Sequence, residues 1–366
     1  MIYLDHHSTT TVLPEAWEAM RPWTGDLVGN PSSAHAHGRR ARQALDDARQ
    51  RIAQLLDAHP DEVLFTSGAT EANNLAVLGI AGTGHVIASP IEHPCIIEPL
   101  RHLQSRGNII DWLPVSRDGG VDIAGLTPRP ETRLACLMLV NHETGAVQPV
   151  ADAVARLGKV PLHVDAAQAV GKRPVRFHEL GAASLSASGH KFGAPAGIGL
   201  LLVRRGLTLA PQFYGGHQQH GQRPGTEPVA LAAAFATALE IRLRNWQSNE
   251  AHVRTLWQLL LDELPGEVRV SPIDGSPYVL NIAFPGCRAD LLLMKLDLAG
   301  VACSTGSACS SGSLLPSPVL QAAGWPDDVL RSALRFSFSP STTPDAVREA
   351  AAHVRRCVAE LRQNPV

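Results

Sequence analysis

The sequence contains no C-x-x-C pair, and its six cysteines follow no regular spacing. This absence argues against a disulfide framework and fits reduced thiols in a reducing compartment. The 16 histidines are scattered too, and the pair His35 and His37 fits the loop before a long helix better than a metal centre. We therefore expect no metal site, and any cysteine chemistry is thiol chemistry.

A strong net charge and a membrane-length apolar run are also missing. The formal net charge is -2, which gives no electrostatic footprint for nucleic acid or an anionic membrane. The uncharged run at 192–203 contains Pro195 and is much shorter than the ~20 residues of a membrane-spanning helix. The N-terminus has no basic stretch followed by an apolar one, so we predict no signal peptide and a cytoplasmic location. The expected partner is a small molecule or another protein.

Lysine is scarce, with four lysines against 28 arginines. Lysine-dependent chemistry is therefore confined to four positions, which are Lys159, Lys172, Lys191 and Lys295. The length of 366 residues suggests about two domains. A hydrophobic fraction of 45% with 18% charged residues is typical of a globular enzyme and argues against a disordered chain.

Short apolar runs alternate with helical patterns through the first two thirds of the chain. Strands are predicted at residues 63–66, 85–89, 109–115, 134–140, 162–165, 184–187 and 198–203. Helices are predicted at residues 38–57, 71–80, 94–106 and 150–157. Buried strands joined by crossover helices predict an α/β fold with a mostly parallel sheet between helices.

The pattern changes near residue 230. A long helical pattern runs to residue 264 with a break near Asn249, and the rest mixes short strands (268–270, 278–284, 333–338) with helices (289–298, 344–362). This mixture predicts a smaller α+β domain. We predict a large domain of residues 15–239 and a small domain formed by residues 1–14 and 240–366, which carries the loop around Cys309.

Lys191 and Asp165 are the first candidates for catalysis. Lys191 lies in a small-residue stretch, 186–193, where a rigidly placed lysine can form a Schiff base and a cofactor phosphate can approach the backbone. Taken alone, this string is more typical of a surface lysine in a turn. Asp165 ends an apolar strand, where it can hold a protonated pyridine nitrogen or cap the next helix. Both residues lie near the ends of predicted strands, and this spacing favours a catalytic role over the structural alternatives.

Two further segments are candidates with simple alternatives. Residues 66–74 follow a strand and open a helix, so they can cradle a phosphate or form an ordinary capped helix start. Cys309 lies in a polar loop, 304–312, where a mobile thiol can reach a substrate or where a cysteine is exposed by chance. Cys303 is interpreted as a small core residue. The other cysteines are interpreted as packing residues: Cys95, Cys136, Cys287 and Cys357.

Ten short motifs occur in one order along nearly the whole chain. They lie at residues 4–10, 29–33, 67–74, 92–93, 141–145, 165–168, 188–191, 223–227, 306–309 and 334–337. In this order they closely resemble the motifs of the cysteine desulfurases, pyridoxal-phosphate enzymes of the class V aminotransferase group. The loop with Gly306-Ser307-Ala308-Cys309 resembles the subgroup of the iron–sulfur cluster and nitrogenase maturation enzymes.

The resemblance implies a fold-type-I transferase that works as a homodimer, with a role for each matching residue. Lys191 would bind the cofactor covalently, His93 would stack on its ring and assist proton transfer, and Cys309 would be the nucleophile. The other cofactor-binding residues that it implies are Ala69, Thr70, Asn141, Asp165, Gln168, Ser188, His190 and Thr226 of the partner subunit. Asn141 and Arg335 would bind the carboxylate of the substrate.

The implied reaction converts L-cysteine to L-alanine. Lys191 or His93 would move the α proton, and Cys309 would carry the sulfur as a persulfide to an acceptor protein, for iron–sulfur clusters, tRNA thiolation or another pathway. Some positions depart from the family pattern without removing a catalytic group: His142, Ala194, Ala196, Gln219 and His220. Together with the short C-terminal tail, they leave open a specialised sulfur donor.

Other functions also remain open at this point. A cystine, cysteine or selenocysteine lyase, or an aminotransferase of the same fold, would keep the cofactor and would not need Cys309. A non-enzymatic scaffold would have lost Lys191, Asp165 or Cys309, and all three are present. A nicotinamide-binding protein would show G-x-G-x-x-G after its first strand, which the turn at 67–70 lacks.

Overall fold

The computed structural model describes residues 1–306 and 316–363. Its strands are β1 Ile2–Tyr3, β2 Val63–Thr66, β3 His85–Ala88, β4 Ile109–Trp112, β5 Thr132–Cys136, β6 Leu162–Asp165, β7 Ser184–Ser188, β8 Gly199–Val203, β9 Val268–Arg269, β10 Val279–Ala283, β11 Val301–Ala302 and β12 Ala333–Ser337. Its α-helices are α1 Pro14–Thr24, α2 Ala36–Leu55, α3 Ala69–Ala81, α4 Pro94–Ser105, α5 Val150–Leu157, α6 Phe177–Leu180, α7 Val229–Arg244, α8 Trp246–Asp262, α9 Ala289–Leu298, α10 Pro318–Ala322, α11 Asp327–Leu330 and α12 Pro344–Gln363.

A seven-stranded sheet forms the centre of the fold, in the order β2-β8-β7-β6-β5-β3-β4. Strand β8 runs antiparallel to both of its neighbours, and the other neighbouring pairs are parallel. Every residue of β6, β7 and β8 is buried, as expected for strands covered on both faces. The predicted mostly parallel sheet between helices is confirmed.

Helix α2 shows how the sequence pattern builds one of the covering layers. Its buried residues Ala41, Leu45, Ala48 and Ile52 recur every three or four positions and form one apolar stripe. This helix packs against α7, which also contacts α1. The helix starts two residues earlier than predicted, because the side chain of its N-cap residue, His35, accepts a backbone N–H and closes the first turn.

A separate core lies beneath the last third of the chain. An antiparallel sheet in the order β12-β10-β9 and the parallel pair of β1 and β11 pack with α8, α9 and α12 around one apolar cluster. Leu4 belongs to this cluster, so the N-terminal segment packs with the C-terminal part of the chain. These contacts support the proposed small domain, although α7 runs unbroken through the proposed boundary at 239/240.

Two predicted features of this region differ in the structure. The long helical pattern breaks at Asn245, four residues before the predicted break, and the two helices meet there directly. Residues 244–250, around this point, are mostly polar, so apolar periodicity does not locate the break. Among the helices within residues 1–306 and 316–363, none combines the length and the apolar character that crossing a bilayer requires.

Gly199 offers a test of how β8 is seated. A Cβ added there would lie 2.6 Å from the Cα of Gly68 and 2.7 Å from the carbonyl oxygen of Ala187. Both atoms belong to the backbone, so the strand would have to move. We predict that Gly199→Ala lowers the free energy of unfolding by about 1–3 kcal/mol, measured by urea denaturation. Gly25→Ala is the matched control, because its Cβ meets nothing nearer than 4.0 Å; equal losses in both variants would contradict the prediction.

Candidate functional site

A cavity of about 400 Å³ lies where β6 and β7 end and α3 begins. Parallel sheets commonly bind their ligands at this carboxyl edge. Eight of the predicted site residues line the cavity: Ala69, Thr70, His93, Asp165, Gln168, Ser188, His190 and Lys191. The tertiary structure therefore brings together segments that are more than a hundred residues apart in the sequence.

The first turn of α3 forms one end of the cavity. The helix begins at Ala69, directly after Gly68, and its first backbone N–H groups have no intrahelical acceptors. Glu71 accepts the backbone N–H of Ser67 at 2.7 Å and pairs with Arg223 at 2.7 Å. Burial raises the pKa of Glu71, but these hydrogen bonds outweigh burial and lower it. Because Arg223 pairs with the carboxylate of Glu71, the free backbone N–H groups at this helix end remain suited to an anionic group such as a phosphate.

Asp165 provides the carboxylate at the end of β6. The residue is buried, its Oδ1 accepts the backbone N–H of Ala167 at 2.9 Å, and its Oδ2 accepts the amide of Asn73 at 2.8 Å. The interaction with Ala167 is the local capping contact that the alternative interpretation expected. The Asn73 bond comes from another element, α3, and holds the carboxylate at the cavity wall.

Lys191 follows β7 in a short 3-10 turn, Gly189–Lys191. Its Nζ donates to the carbonyl oxygens of His7 at 2.6 Å and Ser8 at 2.9 Å. These contacts join the N-terminal segment to the cavity. Burial, followed by the charges of Lys191 and Lys172, lowers the pKa of His190 to about 4. The imidazole beside the lysine is therefore neutral at physiological pH.

A further lysine, Lys172, is buried and was not singled out by the sequence analysis. Its Nζ donates to Oε1 of Gln168 at 2.6 Å, and the Nε2 of Gln168 donates to the carbonyl oxygen of His7 at 3.0 Å. Burial, followed by the charge of Lys191, lowers the pKa of Lys172 well below its ordinary value. The scarcity of lysine was the signal that could have identified it, since a buried lysine among four is unusual.

His93 is the N-cap residue of α4, and its ring meets that of His142 edge to face at 5.2 Å. Burial lowers the pKa of His93, and the nearby positive charges of Lys191 and Arg335 lower it further, against the opposing effect of Asp165. Cys95, two residues on, also lines the cavity, and its Sγ lies 2.9 Å from the Nδ1 of His93. The packing role predicted for Cys95 is therefore incomplete.

The remaining predicted residues lie outside the cavity wall. Asn141 is fully buried, and its Oδ1 accepts the backbone N–H groups of Glu143 and Thr144, so the geometry favours a supporting role over contact with a ligand. Thr226 is exposed and lines a separate surface depression with Ser67. Cys309 lies outside the described residues.

Arg335 lies on β12, next to the N-terminal segment. Its Nη2 donates to Oδ1 of Asp5 at 3.0 Å and to the hydroxyl of Ser8 at 2.9 Å, while its Nη1 donates to the carbonyl oxygen of His142 at 3.0 Å. Its Nε is buried and has no hydrogen-bond partner among the described residues. The guanidinium thus brings a buried positive charge and one unused donor close to the cavity.

Glu143 lies between the two flanks of the segment that carries Cys309. The hydroxyl of Ser317 donates to its Oε2 at 2.5 Å, and a Cβ added at Gly306 would lie 2.9 Å from the same oxygen. Burial raises the pKa of Glu143 to about 7, although the Ser317 bond and the charge of Arg335 lower it. Glycine is required at position 306 for two reasons. Its φ of +82° is unfavourable for other residues, and the carboxylate of Glu143 leaves no room for a Cβ.

One group of potential metal ligands occurs in the described residues, at the opposite edge of the sheet. The ligand atoms of His59, Glu62 and His178 lie within 4.8 Å of one another. The Glu62 carboxylate already accepts from the Nε2 of His178 at 2.7 Å and from the backbone N–H groups of His59 and Arg205. These hydrogen bonds connect the start of β2 with α6, so a structural role explains the cluster.

Comparison with known proteins identifies the family. The model of the aminotransferase class-V family matches residues 2–349. The chain is 36% identical to the cysteine desulfurase IscS of Dictyoglomus turgidum, over 99% of this chain and 95% of that protein. The chain belongs to the class-V aminotransferase family. It is also 38% identical to the mitochondrial cysteine desulfurase of Arabidopsis thaliana, over 99% of this chain and 83% of that protein.

Solved structures of similar fold support this assignment to the class-V aminotransferase family. A NifS-like protein matches with a TM-score of 0.93 and 30% identity, over 98% of this chain and all of the other. SspA, solved in complex with cysteine, matches with a TM-score of 0.85 and 32% identity, over 94% of this chain and 100% of the other. The fold class and the family that the motifs predicted are confirmed.

The raised pKa of Glu143 predicts how stability depends on pH. Its folded value of about 7 lies above the ordinary 4.5, so the folded state holds a proton that the unfolded state has lost between these values. Stability therefore falls as pH rises through this window. We predict that Glu143→Gln gains roughly 2–3 kcal/mol over the parent protein between about pH 5 and about pH 8, measured by urea unfolding. Glu98→Gln, on exposed surface of α4, is the control; identical pH profiles of Glu143→Gln and the parent would contradict the prediction.

Proposed function

We propose that this chain is a pyridoxal-phosphate-dependent cysteine desulfurase that converts L-cysteine to L-alanine and carries the sulfur as a persulfide on Cys309. The observation that carries the proposal is the convergence of Lys191, Asp165 and the N-terminus of α3 on one cavity. The full-length similarity to named cysteine desulfurases supports the same reaction.

The residues of the cavity fit the cofactor. The amides at the start of α3, with the side chains of Thr70 and Ser188, would hold its phosphate. Asp165 would pair with its protonated ring nitrogen, and Lys191 would hold it covalently. When bound, pyridoxal phosphate supplies a sink for the electrons that develop on the α carbon of the substrate.

The polar residues around the cavity bind and orient the substrate. The guanidinium of Arg335 is held next to the cavity by Ser8, and its positive charge would attract the carboxylate of cysteine. Ser8 contacts Arg335 through its hydroxyl and Lys191 through its carbonyl oxygen, so it links the two groups. Lys191 or His93 would move the α proton, since the side chains of both residues line the cavity.

Sulfur transfer is assigned to Cys309. Its thiolate attacks the sulfur of the substrate, so an S–S bond forms while the Cβ–S bond breaks. The electron pair of the broken bond remains on the former Cβ, which takes up a proton to give the methyl group of alanine. The terminal sulfur of the persulfide then passes to a thiol of an acceptor protein. Gly306 and Ser317, the flanks of this segment, lie against Glu143 close to the cavity.

We further propose a homodimer in a reducing, cytoplasmic environment. Thr226 is exposed and lies outside the cavity of its own chain, so it is available to a second copy. The cysteines of the described residues are free thiols, which fits a reducing compartment: Cys95, Cys136, Cys287, Cys303 and Cys357. We propose iron–sulfur cluster assembly as the pathway that receives the sulfur, in line with the similarity to the cysteine desulfurase IscS.

The sulfur carrier is tested by Cys309→Ala. We predict that the variant keeps its bound cofactor and loses nearly all sulfide and alanine formation from L-cysteine, because no thiol accepts the sulfur. Alanine is quantified by chromatography and sulfide by methylene blue, with a thiol reductant present. Cys303→Ala is the matched control, since burial raises the pKa of this thiol to about 12 and leaves it unreactive. Unchanged sulfide with pyruvate and ammonia in Cys309→Ala would indicate a lyase instead.

The dimer is tested by complementation. A Lys191→Ala chain lacks the amine, and a Thr226→Glu chain would repel the phosphate bound by its partner. We predict that each homodimer is inactive and that co-expression restores about a quarter of the activity, because half of the dimers are mixed and each contains one intact site. Activity is measured as alanine formation, and mass by sedimentation equilibrium. A fully active monomer, or no recovery in mixed dimers, would refute Thr226 as a shared residue.

A further inference from the structure

A chain of buried hydrogen bonds runs from β7 to α3. The Nδ1 of His163 lies 2.8 Å from the hydroxyl of Ser184, and its Nε2 lies 2.9 Å from the Oδ1 of Asn73. Burial lowers the pKa of His163 to about 3, so the ring is neutral and carries one proton. Because Oδ1 of an amide can only accept, this proton is on Nε2, and the hydroxyl of Ser184 donates to Nδ1.

With its Oδ1 accepting from His163, Asn73 presents its amide nitrogen to two other groups. Its Nδ2 donates to Oδ2 of Asp165 at 2.8 Å and to the Sγ of Cys95 at 3.0 Å. Both amide hydrogens are thereby used, and all of these side chains are buried. Burial, followed by the charge of Asp165, raises the pKa of Cys95, so its sulfur keeps its proton. The thiol accepts from Asn73 and has one S–H left to donate.

The remaining S–H meets His93. The Sγ of Cys95 lies 2.9 Å from the Nδ1 of His93, and the backbone N–H of Cys95 donates to the same Nδ1 at 3.2 Å. A nitrogen that accepts from two donors cannot carry a proton itself. The single proton of the neutral ring is therefore on Nε2, at the edge of the ring that faces away from Cys95.

We propose that Cys95 is a positioning residue that holds His93 as the neutral tautomer with its proton on Nε2, so that His93 donates a hydrogen bond into the cavity while Lys191 alone takes the α proton. The inference rests on the proposed function, because it assigns one of two roles that the proposed reaction leaves to either residue. The geometry separates the two roles. Cys95 occupies the Nδ1 of His93 with two donors, and a proton on Nδ1 would be repelled by both of them.

The charged groups around His93 act in both directions. Asp165 at the end of β6 favours a second proton on the ring, whereas Lys191 after β7 and Arg335 on β12 disfavour it. The ring of His142 packs against it, and burial keeps that imidazole neutral. The two donors of Cys95 therefore add to an environment that already resists protonation.

The test reads the proton positions directly in the holoenzyme. The protein is labelled with ¹⁵N-histidine, loaded with pyridoxal phosphate, and examined by multiple-bond ¹H–¹⁵N correlation, with His93→Gln to assign the signal. We expect a protonated Nε2 and an unprotonated Nδ1 throughout the neutral pH range. In Cys95→Ala the pH at which His93 gains a second proton should rise by about one pH unit, and the acid limb of the kcat profile should move with it.

Two matched variants separate positioning from packing. Cys95→Ser keeps a donor and an acceptor at the same place, so it should retain the His93 signature and the pH profile of the parent protein. Cys287→Ala removes a buried thiol from the other core and should leave both unchanged. A proton on Nδ1 in the parent holoenzyme, or a Cys95→Ala titration equal to that of Cys95→Ser, would overturn the proposal.

The outcomes also distinguish this inference from the proposed function. The histidine spectrum requires a folded, cofactor-loaded protein and no turnover. Alanine formation by a protein whose His93 carries its proton on Nδ1 would reject the role of Cys95 and leave the desulfurase intact. The expected spectrum without alanine formation would reject the proposed reaction while the geometry of His93 stands.

Discussion

The buried carboxylate of Asp165 is the constraint on which the rest of the site depends. A charged group taken out of water needs donors, and Asp165 obtains them from the backbone of Ala167 and the side chain of Asn73. Asn73 belongs to α3, whose first turn also forms one end of the cavity. One helix therefore positions both ends of the site, and its seating against β8 is fixed by the close approach of Gly199 to Gly68.

The surroundings of Arg335, next to the cavity, are assembled from three distant parts of the chain. Arg335 of β12 contacts Asp5 and Ser8 of the N-terminal segment and the carbonyl oxygen of His142. Glu143, the next residue, contacts Ser317 and lies against Gly306. The cavity wall and the flanks of the Cys309 segment thus share one buried polar region.

Much of the fold could be predicted from the sequence because its signals are local. Buried apolar strands such as β6 and β8 and the apolar stripe of α2 follow directly from residue periodicity. The break at Asn245 was misplaced because the residues on both sides of it are mostly polar and carry no apolar periodicity. Lys191, Asp165 and the α3 turn were identified because short motifs carry their chemistry. The structure places them in one cavity, although their functional roles remain proposals.

Other features depend on contacts that no single segment displays. Cys95 has the sequence environment of a packing residue, yet its thiol meets His93 and Asn73. Lys172 is buried beside Gln168, which binds the N-terminal segment, and beside the ring of Tyr278. Asn141 matches a ligand-binding motif, but its amide is used by its own turn. In each case the role of a polar group depends on its hydrogen-bond partner, which is a sequence neighbour for Asn141 and Lys172 and includes a distant residue, Asn73, for Cys95.

The sequence by itself determined the α/β architecture, the family and the chemical types available, because hydrophobic periodicity and short motifs act over a few residues. Only the tertiary structure decided which donors face which acceptors. The directions of the hydrogen bonds among His163, Asn73, Cys95 and His93 follow from burial and from elements brought together by the sheet. A buried polar group must find its partner within hydrogen-bonding distance, and that distance is set by packing.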